Sequence, residues 1–71
     1  MQRYEAVALL KELSAEHLIQ PSLVLIEQRK PDSYQLCLKG DYDRTEIELF
    51  LKNYSLTVEE HPTKGLCIFE L

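Results

Sequence analysis

The stretch GLCIFEL, residues 65–71, is almost uninterruptedly apolar and contains a cysteine. A similar stretch, YQLCLKG at residues 34–40, lies near the middle of the chain. Short apolar runs bounded by glycine or proline are typical of strands buried within a sheet. We therefore expect both stretches to form the central strands of one sheet, with the later strand docking beside the earlier one and completing it.

Length and composition favour one small globular domain, residues 1–71, that needs additional stabilisation. The 71 residues are 45% hydrophobic, and their formal net charge is −4. A chain of this size removes only about 60% of its unfolded surface from water. Small domains therefore rely on disulfides, a metal or a partner subunit. Two cysteines are too few for a disulfide framework, so a partner subunit is the expected source of stability.

The sequence also suggests where the protein works and which partners it lacks. No apolar run approaches the roughly 20 residues that cross a bilayer, and Met1–Glu5 leads into an amphipathic pattern, unlike a signal peptide. We expect a cytoplasmic protein with reduced thiols and no membrane association. The acidic balance disfavours nucleic acid, because binding phosphates requires clustered lysine and arginine.

Two amphipathic helices are predicted from apolar residues that recur every three or four positions. The first runs from Arg3 to about Leu18. The second lies within residues 41–54 and begins at an Asp43 cap, with Asp41 as the competing cap. Its apolar stripe consists of Ile47, Phe50, Leu51 and Tyr54.

Four strands are predicted, paired into two hairpins. They are Ser22–Lys30, Tyr34–Lys39, Ser55–His61 and Leu66–Leu71. The first begins with four successive apolar residues, which suggests that both of its faces are covered there. The strands carry Leu-Cys pairs at similar places in the two halves of the chain, which indicates a possible structural duplication.

The element order αββαββ resembles, in topology only, a ferredoxin-like domain whose first strand has moved to the end of the chain. This permuted ferredoxin-like arrangement implies an α+β two-layer sandwich. Its four-stranded antiparallel sheet has the order 3-4-2-1, with both helices on one face. The charged residues then fall on the two edge strands, where they discourage edge-to-edge pairing.

A two-layer sandwich leaves one sheet face open, and strict alternation predicts apolar residues on it. If Leu36 and Leu38 face the helices, the last strand exposes either its even-numbered or its odd-numbered apolar residues. Large exposed apolar patches usually mark interfaces. We therefore expect a non-enzymatic protein that forms a homodimer or binds a protein partner. The candidate interface comprises Leu23, Leu25, Cys67, Phe69 and Leu71.

Two alternative functions use other residues. A nucleic-acid-binding module would use outward-facing sheet aromatics, Phe69 or Tyr34, and the basic turn at Arg29-Lys30. A thiol or metal protein would use Cys37 and Cys67, which the topology could place as cross-strand neighbours. Their spacing is not CxxC, and buried free cysteines commonly act as small hydrophobes.

The remaining polar residues fit structural roles, so we expect no catalytic residue, metal or cofactor. His17 lies near a helix end and His61 in a turn, with no recognisable nucleophile and orienting carboxylate beside it. The acidic group lacks the spacing of a calcium loop and is explained by helix capping and a solvated helix face. It comprises Asp41, Asp43, Glu46 and Glu48.

Overall fold

The computed structural model describes residues Met1–Leu71 and shows two α-helices with one four-stranded antiparallel sheet. This confirms the predicted α+β class. The regular elements are α1 (Arg3–Ala15), β1 (Val24–Lys30), β2 (Ser33–Leu38), α2 (Arg44–Phe50), β3 (Thr57–His61) and β4 (Gly65–Phe69). Short 3-10 helices cover Pro21–Leu23 and Leu51–Asn53. Neither α-helix has the length and apolar character needed to cross a membrane.

Helix α1 ends at Ala15, three residues earlier than predicted. His17 adopts a left-handed backbone conformation with φ of 57°, which turns the chain out of the helix. The backbone N–H of Leu18 then donates to the carbonyl of Leu13 at 3.0 Å, which satisfies one of the free carbonyls at the helix end. The predicted end near Leu18 was therefore wrong, because the local capping geometry ends the helix before the recurring apolar residues do.

Helix α2 starts where the Asp43 cap places it. The Asp43 carboxylate accepts a hydrogen bond from the Glu46 backbone N–H at 3.2 Å, so Asp43 rather than Asp41 is the cap. Regular α-helix stops at Phe50, and the chain continues as the 3-10 helix Leu51–Asn53. The second helix is thus shorter than its apolar stripe suggested.

The sheet has the strand order β1-β2-β4-β3, which is the order 3-4-2-1 read from the other edge. Each hairpin supplies one edge strand and one central strand. The only strand pairing between the two hairpins is that of β2 with β4. The paired residues there are Leu36 with Ile68, Cys37 with Cys67, and Leu38 with Leu66.

The main core lies between both helices and one face of the sheet, which we call the helix face. Residues Ala6, Leu9 and Leu13 of α1 and Ile47 of α2 pack there with the central strands. The central strands contribute Leu36, Leu38, Leu66 and Ile68, all at most 1% exposed. Leu36 and Leu38 therefore face the helices, which was the starting assumption for the choice between the two faces of the last strand. The even-numbered residues of β4 face the helices, and Cys67 and Phe69 lie on the opposite side with Cys37 in a second cluster.

The start of β1 departs from the prediction. Residues Pro21–Leu23 form a 3-10 helix, and the strand begins only at Val24. Leu23 and Leu25 are 40% and 50% exposed. The four apolar residues therefore do not mark a strand covered on both faces, because the helices cover only one face of this edge strand.

Gly65, at the start of β4, occupies a position that only glycine suits. Its φ is +83°, and a Cβ atom there would collide with the backbone carbonyl of Leu38 in β2.

We predict that Gly65→Ala lowers the free energy of unfolding by at least about 2 kcal/mol, measured by urea denaturation. Gly40→Ala is the matched control, because φ is similar (+80°) but the neighbour is the movable side chain of Leu23. Its expected cost is about 1 kcal/mol. Equal losses of unfolding free energy in the two variants would contradict the collision with the Leu38 backbone.

Deletion of Leu66–Leu71 should abolish folding, because it removes a central strand with four buried residues. Circular dichroism and the loss of a cooperative thermal transition would report this. A truncated chain that still unfolds cooperatively would contradict the central role of β4.

Candidate functional site on the open sheet face

The candidate interface lies on the sheet face that points away from both helices, which we call the open face. Its residues form two rows across the four strands. The first row, the cysteine row, consists of Leu25, Cys37, Cys67 and Glu59. The second, the phenylalanine row, consists of Glu27, Gln35, Phe69 and Thr57. Apolar residues thus occupy the centre of the face and charged residues lie toward its edges.

Phe69 is covered by an arginine. Its side chain is 2% exposed, and the Arg29 guanidinium carbon lies 3.6 Å from the ring centroid. Strand β1 changes register between Gln28 and Lys30, so Arg29 is the unpaired residue of a bulge. Bulges redirect side chains, and a guanidinium above a ring is attracted by its π-electrons, by about 0.5–1 kcal/mol at an exposed site. The bulge therefore places Arg29 as a lid on Phe69.

A second cationic side chain crosses the open face above the cysteine row. Lys64 leaves the turn between β3 and β4, and its Nζ lies 2.5 Å from Glu27 Oε1 on β1. Gln35 Nε2 donates to the same oxygen at 2.9 Å. Because β4 and β2 separate Lys64 from β1, the linked Lys64 and Glu27 side chains pass over the strands that carry the cysteines. We call this pair the Lys64–Glu27 strap.

The strap favours the charged forms of both partners. The hydrogen bond from Lys64, followed by that from Gln35, holds the pKa of Glu27 below its ordinary value. The same bond from Glu27 raises the pKa of Lys64. Both side chains remain partly exposed, so their ion pair adds little to stability. Its main effect is to fix the position of a long aliphatic stem.

Cys37 and Cys67 are cross-strand neighbours, an arrangement that the predicted topology allowed but did not require. Their Sγ atoms lie 3.1 Å apart, and the residues are 0% and 5% exposed. Burial, followed by the hydrogen bond with Cys67, raises the pKa of Cys37 to about 12. Since the thiolate is the reactive form of cysteine, Cys37 is a protonated thiol at neutral pH and should react slowly with reagents from solution.

The structure divides the five predicted interface residues into two groups. Leu23, Leu25 and Leu71 are exposed, the last by 88%. Cys67 and Phe69 lie on the open face but are buried. The expectation that both would form exposed apolar surface was wrong, because long cationic side chains lie across this face. Alternation along the strands revealed the face, but the positions of Arg29 and Lys64 depend on a bulge and a turn that the pattern does not show.

The geometry gives less support to the nucleic-acid alternative. Tyr34 packs against the main core on the helix face, and the Phe69 ring lies beneath Arg29. Neither ring is presented for stacking on a base. Lys30 is exposed at the end of β1, but of the sheet aromatics Tyr34 is half-buried and Phe69 is buried.

The histidines and acidic residues have structural surroundings. Backbone N–H groups of Thr63 and Lys64 donate to His61 Nδ1, each at 3.3 Å, and this shapes the β3–β4 turn. Arg44 bridges Glu48 and Glu60 at 3.0 and 2.9 Å, which joins α2 to β3 and raises the pKa of Arg44. No three histidine, cysteine or acidic side chains are placed to share a metal ion.

A groove of about 360 Å³ lies between α1 and residues 54–56, away from the predicted site. The Tyr54 hydroxyl donates to the Glu12 carboxylate at one wall, and this bond raises the pKa of Tyr54. Ser55 is among the lining residues, but neither histidine nor either cysteine is. The groove therefore lacks a hydroxyl nucleophile paired with a histidine base.

Comparison with known proteins returns no match: no family model, curated protein or solved structure is similar to this chain.

The raised pKa of Cys37 has a measurable consequence. A pKa of about 12 means that alkylation of Cys37 by iodoacetamide in the folded protein should stay slow through pH 9 and accelerate only at higher pH. In urea-unfolded protein the rate should rise near the ordinary thiol pKa. Peptide mapping by mass spectrometry after timed quenching would distinguish Cys37 from Cys67. An inflection for folded Cys37 at or below its ordinary pKa would contradict the burial argument.

Proposed function

We propose that this protein is a non-enzymatic domain that forms a homodimer through its open sheet face. The observation that carries the proposal is Leu25, which is 50% exposed near the start of β1 and lies opposite buried Cys37 on a face that no helix covers. Leu23, the last residue of the 3-10 helix that precedes β1, is a second exposed leucine near it, at 40% exposure. Exposed aliphatic side chains beside a buried cluster are the type of surface that association removes from water.

The distribution of charge favours a second copy of the chain as the partner. The open face carries Glu27 and Glu59 together with Arg29 and Lys64. In a two-fold dimer each surface meets itself, so a face must offer both signs of charge to avoid like-charge contacts. A surface with charges of one sign would instead favour an oppositely charged partner. The open face has no excess of either sign.

We also infer that the fold is a permuted ferredoxin-like arrangement. Moving the first strand of a βαββαβ chain with sheet order 4-1-3-2 to its end produces αββαββ and the order 3-4-2-1. The order β1-β2-β4-β3 and the antiparallel pairing of all neighbours support this inference. An open sheet face follows from that architecture, since both helices lie on the other side.

A cytoplasmic location belongs to the same proposal and rests on the sequence argument given above. A protein partner of different sequence is the competing occupant of the open face. The two occupants differ in one measurable respect, because only a second copy changes the mass of the purified protein.

Sedimentation equilibrium over the micromolar range tests the dimer. The wild-type protein should approach twice the mass of one chain, and Leu25→Glu should weaken association at least about tenfold, because it places a charge on the exposed apolar part of the open face. A change of that size corresponds to about 1.4 kcal/mol.

Leu49→Glu is the matched control. Leu49 is an equally large, 61% exposed leucine, but it belongs to α2 in the helical layer. The Leu49→Glu variant should dimerise like the wild type. A wild-type chain that remains monomeric at the highest concentration reached would overturn the homodimer, and equal weakening by both substitutions would place the interface elsewhere.

A further inference from the structure

The paired cysteines are already close to the geometry of a disulfide. Cys37 and Cys67 lie directly opposite each other in antiparallel strands, and their sulfur atoms are 3.1 Å apart. Directly opposed residues in such strands have Cα atoms roughly 4.5–5.5 Å apart, within the range that disulfides span. Bond formation therefore requires the two sulfur atoms to approach by only about 1 Å, without separation of the strands.

The surroundings of the pair control access rather than prevent reaction. No helix covers the open face, so an oxidant must pass only side chains to reach the sulfur atoms. The Lys64–Glu27 strap crosses this route. Its two charges act in opposite directions on Cys37, because the Lys64 ammonium favours a thiolate and the Glu27 carboxylate disfavours it.

We propose that Cys37 and Cys67 are an oxidative modification site that forms a reversible intrachain disulfide with a peroxide as oxidant, and that the Lys64–Glu27 strap limits its rate. Cys67, with 5% exposure against 0% for Cys37, is the first sulfur to react.

The proposed reaction balances in two steps. The Cys67 thiolate attacks one peroxide oxygen, the O–O bond breaks, and the other oxygen leaves as an alcohol, or as water from hydrogen peroxide, after taking a proton. Cys67 is then a sulfenic acid. The Cys37 sulfur attacks the Cys67 sulfur, the S–O bond breaks, and the hydroxide leaves as water with the Cys37 proton. Two thiols are oxidised by two electrons while one peroxide is reduced.

The disulfide would link the two halves of the fold at the place where they meet. Residues 37 and 67 are 30 positions apart, and β2–β4 is the strand pairing that joins the two hairpins. Closing a loop of this length restricts the unfolded chain. We therefore expect oxidation to raise Tm by about 10 °C or more.

The test uses the folded wild-type protein and hydrogen peroxide at dilute protein concentration. The expected result is an intact mass lower by two hydrogen atoms, a Cys37–Cys67 linked peptide in a non-reducing digest, and a raised Tm that dithiothreitol reverses. Cys37→Ser should instead accumulate the Cys67 sulfenic acid, which dimedone traps. Wild-type protein that keeps two titratable thiols, or forms only interchain disulfides or sulfinic acid, would overturn the proposal.

The strap is tested with Glu27→Gln, which removes the carboxylate and frees the Lys64 ammonium beside the thiols. Oxidation should accelerate about tenfold, because the strap no longer ties Lys64 across the pair and its free ammonium attracts negative charge on sulfur. Glu59→Gln is the matched control, because it makes the same charge change opposite Cys67 on the same face without touching Lys64. Equal rates for the two variants would overturn the rate-limiting role of the strap. The reaction is followed in the monomer, so it succeeds or fails independently of the proposed dimer.

Discussion

The structure depends on the pairing of β2 with β4. Each half of the chain supplies a helix and a hairpin, and a two-stranded hairpin alone is marginal in water. Pairing the central strands brings Leu36, Leu38, Leu66 and Ile68 together on one face, where they form the floor of the core beneath both helices. The same pairing forces the alternate residues onto the other face. The core and the open face are therefore two results of one strand register.

The open face shows how a small chain can cover apolar surface without a third layer. Phe69 and the cysteines are buried, but an arginine and a lysine cover them instead of another helix. Such side chains lay their aliphatic stems on apolar groups while their charged ends remain hydrated. This cover is weaker and more mobile than a packed helix. A face of this kind can exchange its own charged side chains for those of a partner without unfolding the sheet.

Much of the fold is readable from the sequence because its determinants are local. The two Leu-Cys stretches, Pro62 and Gly65 indicate central strands and a turn, and the Asp43 cap gives the start of α2 correctly. The predicted boundaries are wrong where a local effect overrides the periodic pattern of apolar residues. One example is His17, whose left-handed backbone ends α1.

The candidate site was less predictable because it depends on contacts between distant residues. Alternation identified the face, and the predicted topology allowed the cysteines to be neighbours without fixing their register. The direction of Arg29 follows from a bulge, and the strap joins residues 37 positions apart. Neither contact leaves a periodic signal, so the exposed fractions of Phe69 and Cys67 could not be derived from pattern alone.

The division into two local halves also bears on how the chain folds. Hairpins β1–β2 and β3–β4 join neighbouring segments through the short turns at Pro31-Asp32 and Pro62–Lys64, and such hairpins form in about 1–10 μs. The β2–β4 ladder must instead bring together residues 30 positions apart, at a larger loop-closure entropy. Docking of two preformed halves is therefore the slow step expected from this topology, and β2–β4 contacts should form in its transition state. Until that docking is complete, both central strands expose unpaired apolar edges, which makes this the interval in which the chain is most prone to aggregate.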